Sequence, residues 1–402
     1  MNKETIRAIA RRGTPAIIVD HSIIRKRVKE FQKYLSRVKI YYAVKANSES
    51  EIISTLLGMG CGFDVASIQE FNLVMNVIKK TMPVSDTQNF IWDKIIYANP
   101  VKPAECLKEL DLYKPLVTYD CVEEMEKIKK FSPNAGVLLR LKVSNQGSAV
   151  QLSNKFGVDP KEAIPLIQKT IEAGLGVEGL SFHVGSQCLN PTSYSKALKE
   201  CAEILKEAWR RKLEVGEKIT RGYPVALIDI GGGFPVNYDG NEISFSKLAN
   251  SINKQIDSLF PKEKIDFLAE PGRFIVAESA TLLTKVILAK HKNRDIPSYH
   301  INDGMYGTYS GAMYDHFVPK FFALKKGTKK PSIIFGPTCD GIDAIAGGNP
   351  YLPQLPTANL PKLEYGDFIY TPNIGAYSIA SATNFNGMKK ARIVHINQAL
   401  IN

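Results

Sequence analysis

The chain has 402 residues, of which 44% are apolar, and it carries a formal net charge of +12. Its 18 Phe and 17 Tyr, together with many aliphatic residues, provide for a sizeable core and exclude a mainly disordered chain. The positive charge raises a polyanionic partner as a hypothesis. However, no long arginine-rich run or zinc module indicates nucleic-acid binding.

The N-terminus has no apolar segment of signal-peptide length, and no stretch approaches the ~20 apolar residues of a membrane-spanning helix. Six cysteines are scattered without a CxxC pair, which argues against a disulfide framework and a structural zinc site. The six histidines contain no HExxH motif or close pair, so we expect no metal site. These features favour a reducing, cytoplasmic compartment.

Eight short β-type runs alternate with longer helical patterns over the first two thirds of the chain. The predicted strands are Ile40–Val44, Gly62–Val65, Lys94–Tyr97, Leu116–Tyr119, Val137–Leu141, Gly179–Val184, Ala226–Ile230 and Ile265–Ala269. The predicted helices include Glu49–Leu57, Ile68–Val77, Val122–Phe131, Pro160–Ala173, Tyr194–Trp209 and Phe245–Leu259. Alternation predicts a parallel sheet, and eight units predict a closed (β/α)8 TIM barrel over residues 35–271. An open doubly wound sheet is the alternative.

After about Pro271 the pattern changes to β-type runs separated by Gly, Pro and Asn turns. The runs are Ala280–Leu288, Ser298–Ile301, Ser332–Phe335, Asp367–Tyr370 and Arg392–Ile396. They predict a C-terminal, mostly antiparallel β domain over residues 272–402. Residues 1–34 are expected to join it, because the early run Pro15–Val19 precedes the barrel units. Lys325–Pro331 and Gly347–Pro361 are turn-rich and are predicted to be loops.

Polar and charged residues end most of the predicted barrel strands. They are Lys45, Asn47, Asp64, Ser67, Asn99, Asp120, Arg140, His183 and Ser186. Because barrel active sites lie at the carboxyl ends of the strands, this pattern predicts a site there.

Two features point to a phosphate and an amine at that site. Three glycines, Gly231, Gly232 and Gly233, follow the seventh run, and Gly272 and Arg273 follow the eighth, in the slot where barrels often bind phosphate. Lys45 ends the first run, where an ammonium is costly unless it is paired or neutral, and such a lysine suits Schiff-base chemistry. With Glu270 as a partner for a ring nitrogen, the set favours pyridoxal phosphate. An aldolase-like enzyme acting on a phosphorylated sugar is the rival.

Several motifs together resemble the fold-type-III pyridoxal phosphate decarboxylases, which share the alanine racemase type of barrel, and more narrowly the ornithine decarboxylases. In the barrel region they are Tyr41–Asn47, Ser181–Cys188, Asp229–Pro235 and Glu270–Phe274. In the C-terminal region they are Asn302–Gly307, Tyr314–His316, Gly336–Gly341, Gly375–Tyr377 and Asn384–Gly387. The likeness runs from about residue 14 to about residue 396 in the family's order.

The resemblance implies a role for each matching residue. Lys45 would carry the cofactor, His183 would stack on its ring, Glu270 would pair with the ring nitrogen, and Cys339 would protonate the product carbon. The implied cofactor-site residues also include Asp64, Arg140, Ser186, Gly231, Gly232, Gly233, Gly272, Arg273 and Tyr377. Asp315 and Asp340 would hold the distal ammonium of a cationic amino acid, with Tyr306 and Tyr314 also at the substrate site. The family forms homodimers with shared active sites, with Cys339 and Asp340 reaching the partner's site and Tyr306 near the interface.

The implied reaction is decarboxylation of L-ornithine to putrescine, a step of polyamine biosynthesis. Lysine, arginine or another diamino acid remains an alternative substrate, because one methylene discriminates weakly. Alanine racemase fits the motifs less well. Diaminopimelate and carboxynorspermidine decarboxylases would need a cationic group in the distal pocket, where this chain offers Asp315 and Asp340. A catalytically inactive, decarboxylase-like regulatory protein is the alternative of a different class.

The chain departs from the family pattern at three places. Gln187 stands where ornithine decarboxylases usually have glycine, and Ala46 follows the lysine where cysteine is frequent. The loop over residues 343–361 differs near the presumed specificity region. These departures leave the chemistry intact and weaken the choice of substrate.

Overall fold

The computed structural model describes residues 3–81, 83, 90–149, 153–216, 226–238, 244–260, 265–291, 295–315 and 317–397. The chain separates into two compact units. One consists of Arg27–Phe274, and the other combines Met1–Lys26 with Ile275–Asn402.

The Arg27–Phe274 unit is a closed barrel of eight parallel strands, so the predicted barrel is confirmed and the open sheet is wrong. The strands are β2 Val38–Ala43, β3 Gly62–Val65, β4 Ile95–Tyr97, β5 Leu116–Tyr119, β6 Gly136–Arg140, β7 Gly176–Ser181, β8 Ala226–Asp229 and β9 Ile265–Ala269. Buried apolar side chains fill the interior, among them Tyr41, Ile96, Leu116, Leu138, Leu227 and Leu268. Near-continuous apolar runs form these strands because parallel strands are covered on both faces.

One helix precedes the first barrel strand, and further helices follow barrel strands, as the alternation predicts. Their bounds are α2 His21–Tyr34, α3 Ser50–Leu57, α4 Ile68–Thr81, α5 Ala104–Asp111, α6 Val122–Phe131, α7 Ala163–Glu172, α8 Pro191–Arg210, α9 Phe245–Leu259 and α10 Arg273–Val276. Helix α8 begins three residues before its predicted start. There Asn190 caps the helix by accepting a hydrogen bond from the Thr192 N–H, and Pro191 occupies the first turn.

The other unit is built on a nine-stranded sheet that is mostly antiparallel, as predicted. Its strands are β1 Ala16–Asp20, β10 Ala280–Lys290, β11 Ser298–Ile301, β12 Phe322–Ala323, β13 Lys330–Phe335, β14 Ala344–Ala346, β15 Ala358–Leu360, β16 Phe368–Pro372 and β17 Arg392–Ile396. The N-terminal strand β1 joins this sheet, pairing antiparallel with β10 and parallel with β17. Helices α1 Lys3–Arg11 and α11 Gly311–Tyr314 complete the unit, and Ile6 and Ile9 of α1 pack in a core with Ile18 and Leu283.

The prediction of loops at Lys325–Pro331 and Gly347–Pro361 is partly wrong. Strand β13 begins at Lys330, and its first residues pair with β15, in the register Lys330 to Leu360. A strand of three residues has too little alternation to be visible in the sequence, and it forms here because its partner supplies the hydrogen bonds. Within the described part of the chain, no helix has the length and apolar character to cross a membrane.

Candidate active site

Lys45 lies in a single 3-10 turn, Val44–Ala46, directly after β2. Its Nζ is 2.8 Å from Oδ2 of Asp64 on the neighbouring strand β3. The Lys45 side chain is 39% exposed whereas that of Asp64 is 1% exposed. The structure thus places a paired, accessible amine at the carboxyl-terminal rim of the barrel. The second oxygen of Asp64, Oδ1, is buried and accepts no hydrogen bond from a described residue.

A buried pair of carboxyl groups lies at the ends of β8 and β9, and β9 is the other neighbour of β2 in the barrel. Asp229 ends β8 and Glu270 follows β9, and their side chains are hydrogen-bonded to each other. Asp229 Oδ1 also accepts a hydrogen bond of 2.9 Å from the Gly231 N–H. Burial, and then the neighbouring carboxylates, raise the pKa of Glu270 well above its ordinary value, and burial also raises the pKa of Asp229. An ionised Glu270 therefore calls for a cationic N–H partner.

His183 lies just beyond β7, partly buried, with its ring fixed by the backbone. Its Nδ1 accepts a hydrogen bond of 3.0 Å from the Gly185 N–H, and its carbonyl accepts one of 3.1 Å from the Asn145 amide. Burial, and then the positive charges of Arg140 and Lys45, lower the pKa of His183 well below 6.5. The ring is therefore neutral near pH 7, with its proton on Nε2.

The glycine loop after β8 forms a narrow turn against its neighbours. Gly231 and Gly233 have left-handed backbones, with φ of 66° and 97°. A Cβ at Gly231 would overlap the Phe182 carbonyl, and one at Gly233 would overlap the Gly185 carbonyl. Among the described residues, none accepts a hydrogen bond from the N–H groups of Gly232 and Gly233. Adjacent free amides of this kind bind anions.

Arg273 borders this loop from the adjacent strand end. Its side chain is buried, its Nη2 donates to Ser186 Oγ at 2.7 Å, and its Nη1 donates to the Tyr238 hydroxyl at 3.5 Å. Gly272 before it leaves room for the turn that carries Lys45, because an added Cβ would lie 2.8 Å from Ala46 Cβ. A buried guanidinium beside free amides has the chemistry of a phosphate site.

Arg140 ends β6, with its guanidinium 5.1 Å from the centre of the Phe156 ring. Its positive charge acts on both His183 and Asp229. The structure thus brings together, at one rim of the barrel, the predicted site residues of this unit. They are Lys45, Asp64, Arg140, His183, Ser186, Gly231, Gly232, Gly233, Glu270, Gly272 and Arg273.

The remaining predicted residues belong to the other unit. Tyr306 stacks on Phe385 with ring centres 4.0 Å apart, and its hydroxyl is hydrogen-bonded to Asp340. Burial, and then the Asp340 charge, raise the pKa of that hydroxyl. Tyr314 at the end of α11 is 65% exposed. Tyr314 also acts electrostatically on the Tyr306 hydroxyl, so Tyr306 has both Asp340 and Tyr314 as neighbours.

Cys339, Asp315 and Tyr377 are three further predicted residues of this unit. Cys339 is an exposed free thiol directly before Asp340. Asp315 follows α11 and donates its N–H to the Gly311 carbonyl at 3.0 Å. Tyr377 has a left-handed backbone with φ of 55°. His316, the last residue of one C-terminal motif, lies outside the described residues.

The family model for the pyridoxal binding domain of pyridoxal-dependent decarboxylases matches residues 21–277. The chain belongs to the pyridoxal-dependent decarboxylase family. Pyridoxal phosphate is accordingly its cofactor, and the closed barrel with its mixed β sheet is the fold of the family's solved structures.

Relatives within this decarboxylase family extend along nearly the whole chain. The lysine/ornithine decarboxylase of Selenomonas ruminantium is 36% identical over 96% of this chain and 91% of its own. The ornithine decarboxylase of Caenorhabditis elegans is 34% identical over 93% of this chain and 85% of its own. Antizyme inhibitor 2 of Xenopus laevis is also 34% identical, over 92% and 78%.

Solved structures of decarboxylases show the same fold. The lysine/ornithine decarboxylase of Vibrio vulnificus, crystallised with cadaverine, is 30% identical with a TM-score of 0.84, over 98% of this chain and 99% of that one. The arginine decarboxylase of Paramecium bursaria Chlorella virus is 28% identical with a TM-score of 0.86, over 98% and 100%. The family therefore includes enzymes named for three basic amino acids.

The barrel rim of this chain fits the chemical groups of pyridoxal phosphate. The free amides of Gly232 and Gly233 beside Arg273 can bind the phosphate, and the Lys45 amine can bond to the aldehyde. Glu270, buried and costly to ionise alone, can pair with a protonated ring nitrogen. When bound, the cofactor supplies the electron sink that allows carbon dioxide to leave.

Several residues that shape this site could not be identified from the sequence. Asp229 was visible only as the first residue of the glycine motif, and Tyr238 follows that motif without any pattern of its own. Asn145 holds the His183 backbone from the loop after β6. Their positions depend on how loops from different strands pack together, which periodicity does not report.

Proposed function

We propose that the chain is a carboxy-lyase that decarboxylates basic L-amino acids, with L-ornithine preferred and putrescine as product. The observation that carries the proposal is the Lys45 amine, paired with Asp64 at the same rim as the buried Glu270 and the glycine loop. With putrescine as product, the reaction would be a step of polyamine synthesis. We propose that it takes place in the cytoplasm.

In this proposal each rim residue acts on one part of the cofactor. The Lys45 amine would bond to the cofactor aldehyde, and Asp64 and Arg140 would support the charges around it. The neutral ring of His183 would pack on the cofactor ring, and the carboxylate of Glu270 would keep the ring nitrogen protonated. The phosphate is bound by Ser186, Gly231, Gly232, Gly233, Gly272, Arg273 and Tyr377.

The substrate residues of the proposal come from the Ile275–Asn402 segment. Asp315 and Asp340 bind the distal ammonium of the substrate, beside Tyr306 and Tyr314. The thiol of Cys339 would supply a proton to the α-carbon of the substrate. Support comes from the exposed thiol next to Asp340 and from the hydrogen bond between Tyr306 and Asp340.

We also propose a homodimer with shared sites, because this segment exposes apolar side chains, among them Tyr314 at 65%, Phe385 at 38% and Met388 at 37%. Mixing two inactive variants, Lys45→Ala and Cys339→Ala, tests it. If each site takes Lys45 from one copy and Cys339 from the other, every mixed dimer has one intact site. Random mixing then restores about a quarter of the wild-type number of active sites. No recovery after mixing and exchange would contradict shared sites.

L-Lysine is the second candidate substrate, favoured by the Selenomonas relative named for both lysine and ornithine. The antizyme inhibitor relative raises a non-enzymatic regulator as the alternative. Against that alternative stands the full set of charged rim residues, Lys45, Glu270 and Arg273 included.

A substrate panel tests the proposed function. The purified protein with pyridoxal phosphate is given L-ornithine, L-lysine, L-arginine and diaminopimelate, and the released carbon dioxide and amine are measured. We expect the largest kcat/KM for L-ornithine, and none of these activities in Lys45→Ala. The absorbance of lysine-bound cofactor, near ~420 nm, should be present in the wild type and absent from that variant. Cofactor binding without turnover of any of the four would favour the regulatory protein.

A further inference from the structure

Gln187 stands in an unusual backbone position between Ser186 and Cys188. Its φ is 51°, a left-handed conformation that glycine adopts freely and glutamine does not. The chain thus keeps a long side chain at a position where the backbone conformation opposes one. Such a side chain is expected to make contacts that offset the strain.

The Gln187 side chain makes two hydrogen bonds to the backbone of Val236, which follows the three glycines. Its Nε2 donates to the Val236 carbonyl at 2.7 Å, and its Oε1 accepts from the Val236 N–H at 3.0 Å. Next to it, the Cys188 N–H donates to the Gly233 carbonyl at 2.8 Å. Three hydrogen bonds therefore join residues 187–188 to residues 233–236, and two of them depend on the Gln187 amide.

Together with other contacts, these hydrogen bonds hold both ends of the glycine loop in place. Its near end is fixed to the barrel, because the Gly231 N–H donates to Asp229 and the Gly231 carbonyl accepts from the Glu270 N–H at 2.8 Å. The Tyr194 hydroxyl holds the Gly232 carbonyl at 2.8 Å. The far end is held at Val236 by the Gln187 amide.

We propose that Gln187 is a positioning residue that fixes the glycine loop for the phosphate of the cofactor. Gln187 acts by holding the loop in position and does not take part in the reaction itself. By holding both the Ser186 segment and Val236, it keeps the free amides of Gly232 and Gly233 and the Ser186 hydroxyl in one arrangement. Preorganised donors bind an anion more tightly because less order must be imposed on binding.

Replacement by glycine separates this role from a merely structural one. Gln187→Gly relieves the left-handed strain while it removes both side-chain hydrogen bonds. We therefore expect the apo-protein to unfold at the same or a higher temperature and yet to bind the cofactor more weakly. A structural residue would change stability and affinity in the same direction. Lys212→Gly is the matched control, because Lys212 is exposed, also left-handed with φ of 59°, and belongs to another loop.

The test measures direct binding of pyridoxal phosphate, and of pyridoxal without phosphate, to apo-protein by absorbance titration. Because two hydrogen bonds are lost, we expect the Kd for pyridoxal phosphate to rise about tenfold in Gln187→Gly, with pyridoxal affinity unchanged. Gln187→Asn, which tolerates the backbone but is one methylene shorter, should behave alike. Unchanged pyridoxal phosphate affinity, or an equal loss for both compounds, would overturn the proposal. The inference rests on the cofactor and not on the substrate, so absence of turnover leaves this test intact.

Discussion

Lys102 is a fully buried lysine at the carboxyl-terminal side of the barrel, and its replacement by methionine gives a quantitative prediction. Its Nζ lies 3.0 Å from Glu124 Oε1. The same Nζ donates to the carbonyls of Thr118, Asn99 and Pro100 at 2.6, 3.1 and 3.3 Å. One ammonium thus joins β5, α6 and the segment after β4.

Lys102→Met keeps the length of the side chain and removes its charge and donors. Removing one member of a buried ion pair costs about 3–5 kcal/mol, because the other charge stays buried. Lys127 lies 2.6 Å from Glu124 Oε2 and still compensates part of that charge. We therefore expect a loss near the lower limit, about 3 kcal/mol, in the free energy of unfolding.

The pH dependence of this loss also has a definite sign. Burial lowers the pKa of Lys102 from 10.5 to about 8. The unfolded chain therefore binds more protons than the folded one between these values, and this group makes the wild type more stable as pH rises through that range. At 1.36 kcal/mol per pKa unit the gain is about 3 kcal/mol, and the variant lacks it. The gap between the two proteins should widen above pH 8.

Urea unfolding followed by tryptophan fluorescence measures the effect, because both tryptophans, Trp92 and Trp209, belong to the barrel unit. Lys161→Met, at an exposed lysine, is the control and should change stability by less than about 0.5 kcal/mol. Lys102→Met combined with Glu124→Gln should recover stability, since no buried charge remains unpaired and the Lys127 ammonium, 30% exposed, can be solvated by water. A loss below ~1 kcal/mol for Lys102→Met, or no recovery in the double variant, would refute this reasoning.

Three further predictions concern the cofactor site. Gly233→Ala should fold but bind the cofactor about tenfold or more weakly, because the alanine Cβ would overlap the Gly185 carbonyl and shift the loop. Dialysis of the bound cofactor measures this loss. An unchanged affinity would contradict the tight turn at Gly233. Glu270→Gln should lower kcat by about 100-fold or more while the cofactor stays bound, since an uncharged amide no longer stabilises the ring N–H. An unchanged kcat would show that Glu270 does not have the proposed role. Because its pKa is held well below 6.5, the His183 ring should show no NMR titration between about pH 6 and 8, with signals assigned by His183→Gln.

The barrel was predictable from the sequence because its strands carry their own signal. Gly62–Val65 and Ile265–Ala269 are short runs, apolar apart from one aspartate each, between clear helical patterns, and the structure has them with those bounds. The placement of Lys45 and the glycine loop at one rim followed from the rule that barrel strands end on the same side. Local pattern and fold topology were sufficient there.

The rest could not be predicted because it depends on tertiary partners. Strand Ala358–Leu360 exists through its pairing with Lys330–Ser332, which has no counterpart in local periodicity. The neutral state of His183 comes from burial and from charges on other strands. In the same way, the sequence shows Gln187 as a departure from the family pattern, but it does not show the hydrogen bonds between Gln187 and Val236. These two residues belong to different loops and are 49 residues apart.

Strand β1 lies between β10 and β17, so early and late segments of the chain meet in one sheet. His21, directly after β1, is hydrogen-bonded to His395 of β17, 374 residues later. During synthesis the barrel sequence has left the ribosome long before β17 does, and until then β1 has an unpaired edge. All five residues of β1 are buried in the finished sheet. The nascent chain therefore carries an exposed apolar strand through most of its synthesis, and truncation before Arg392 should make this edge a site of aggregation.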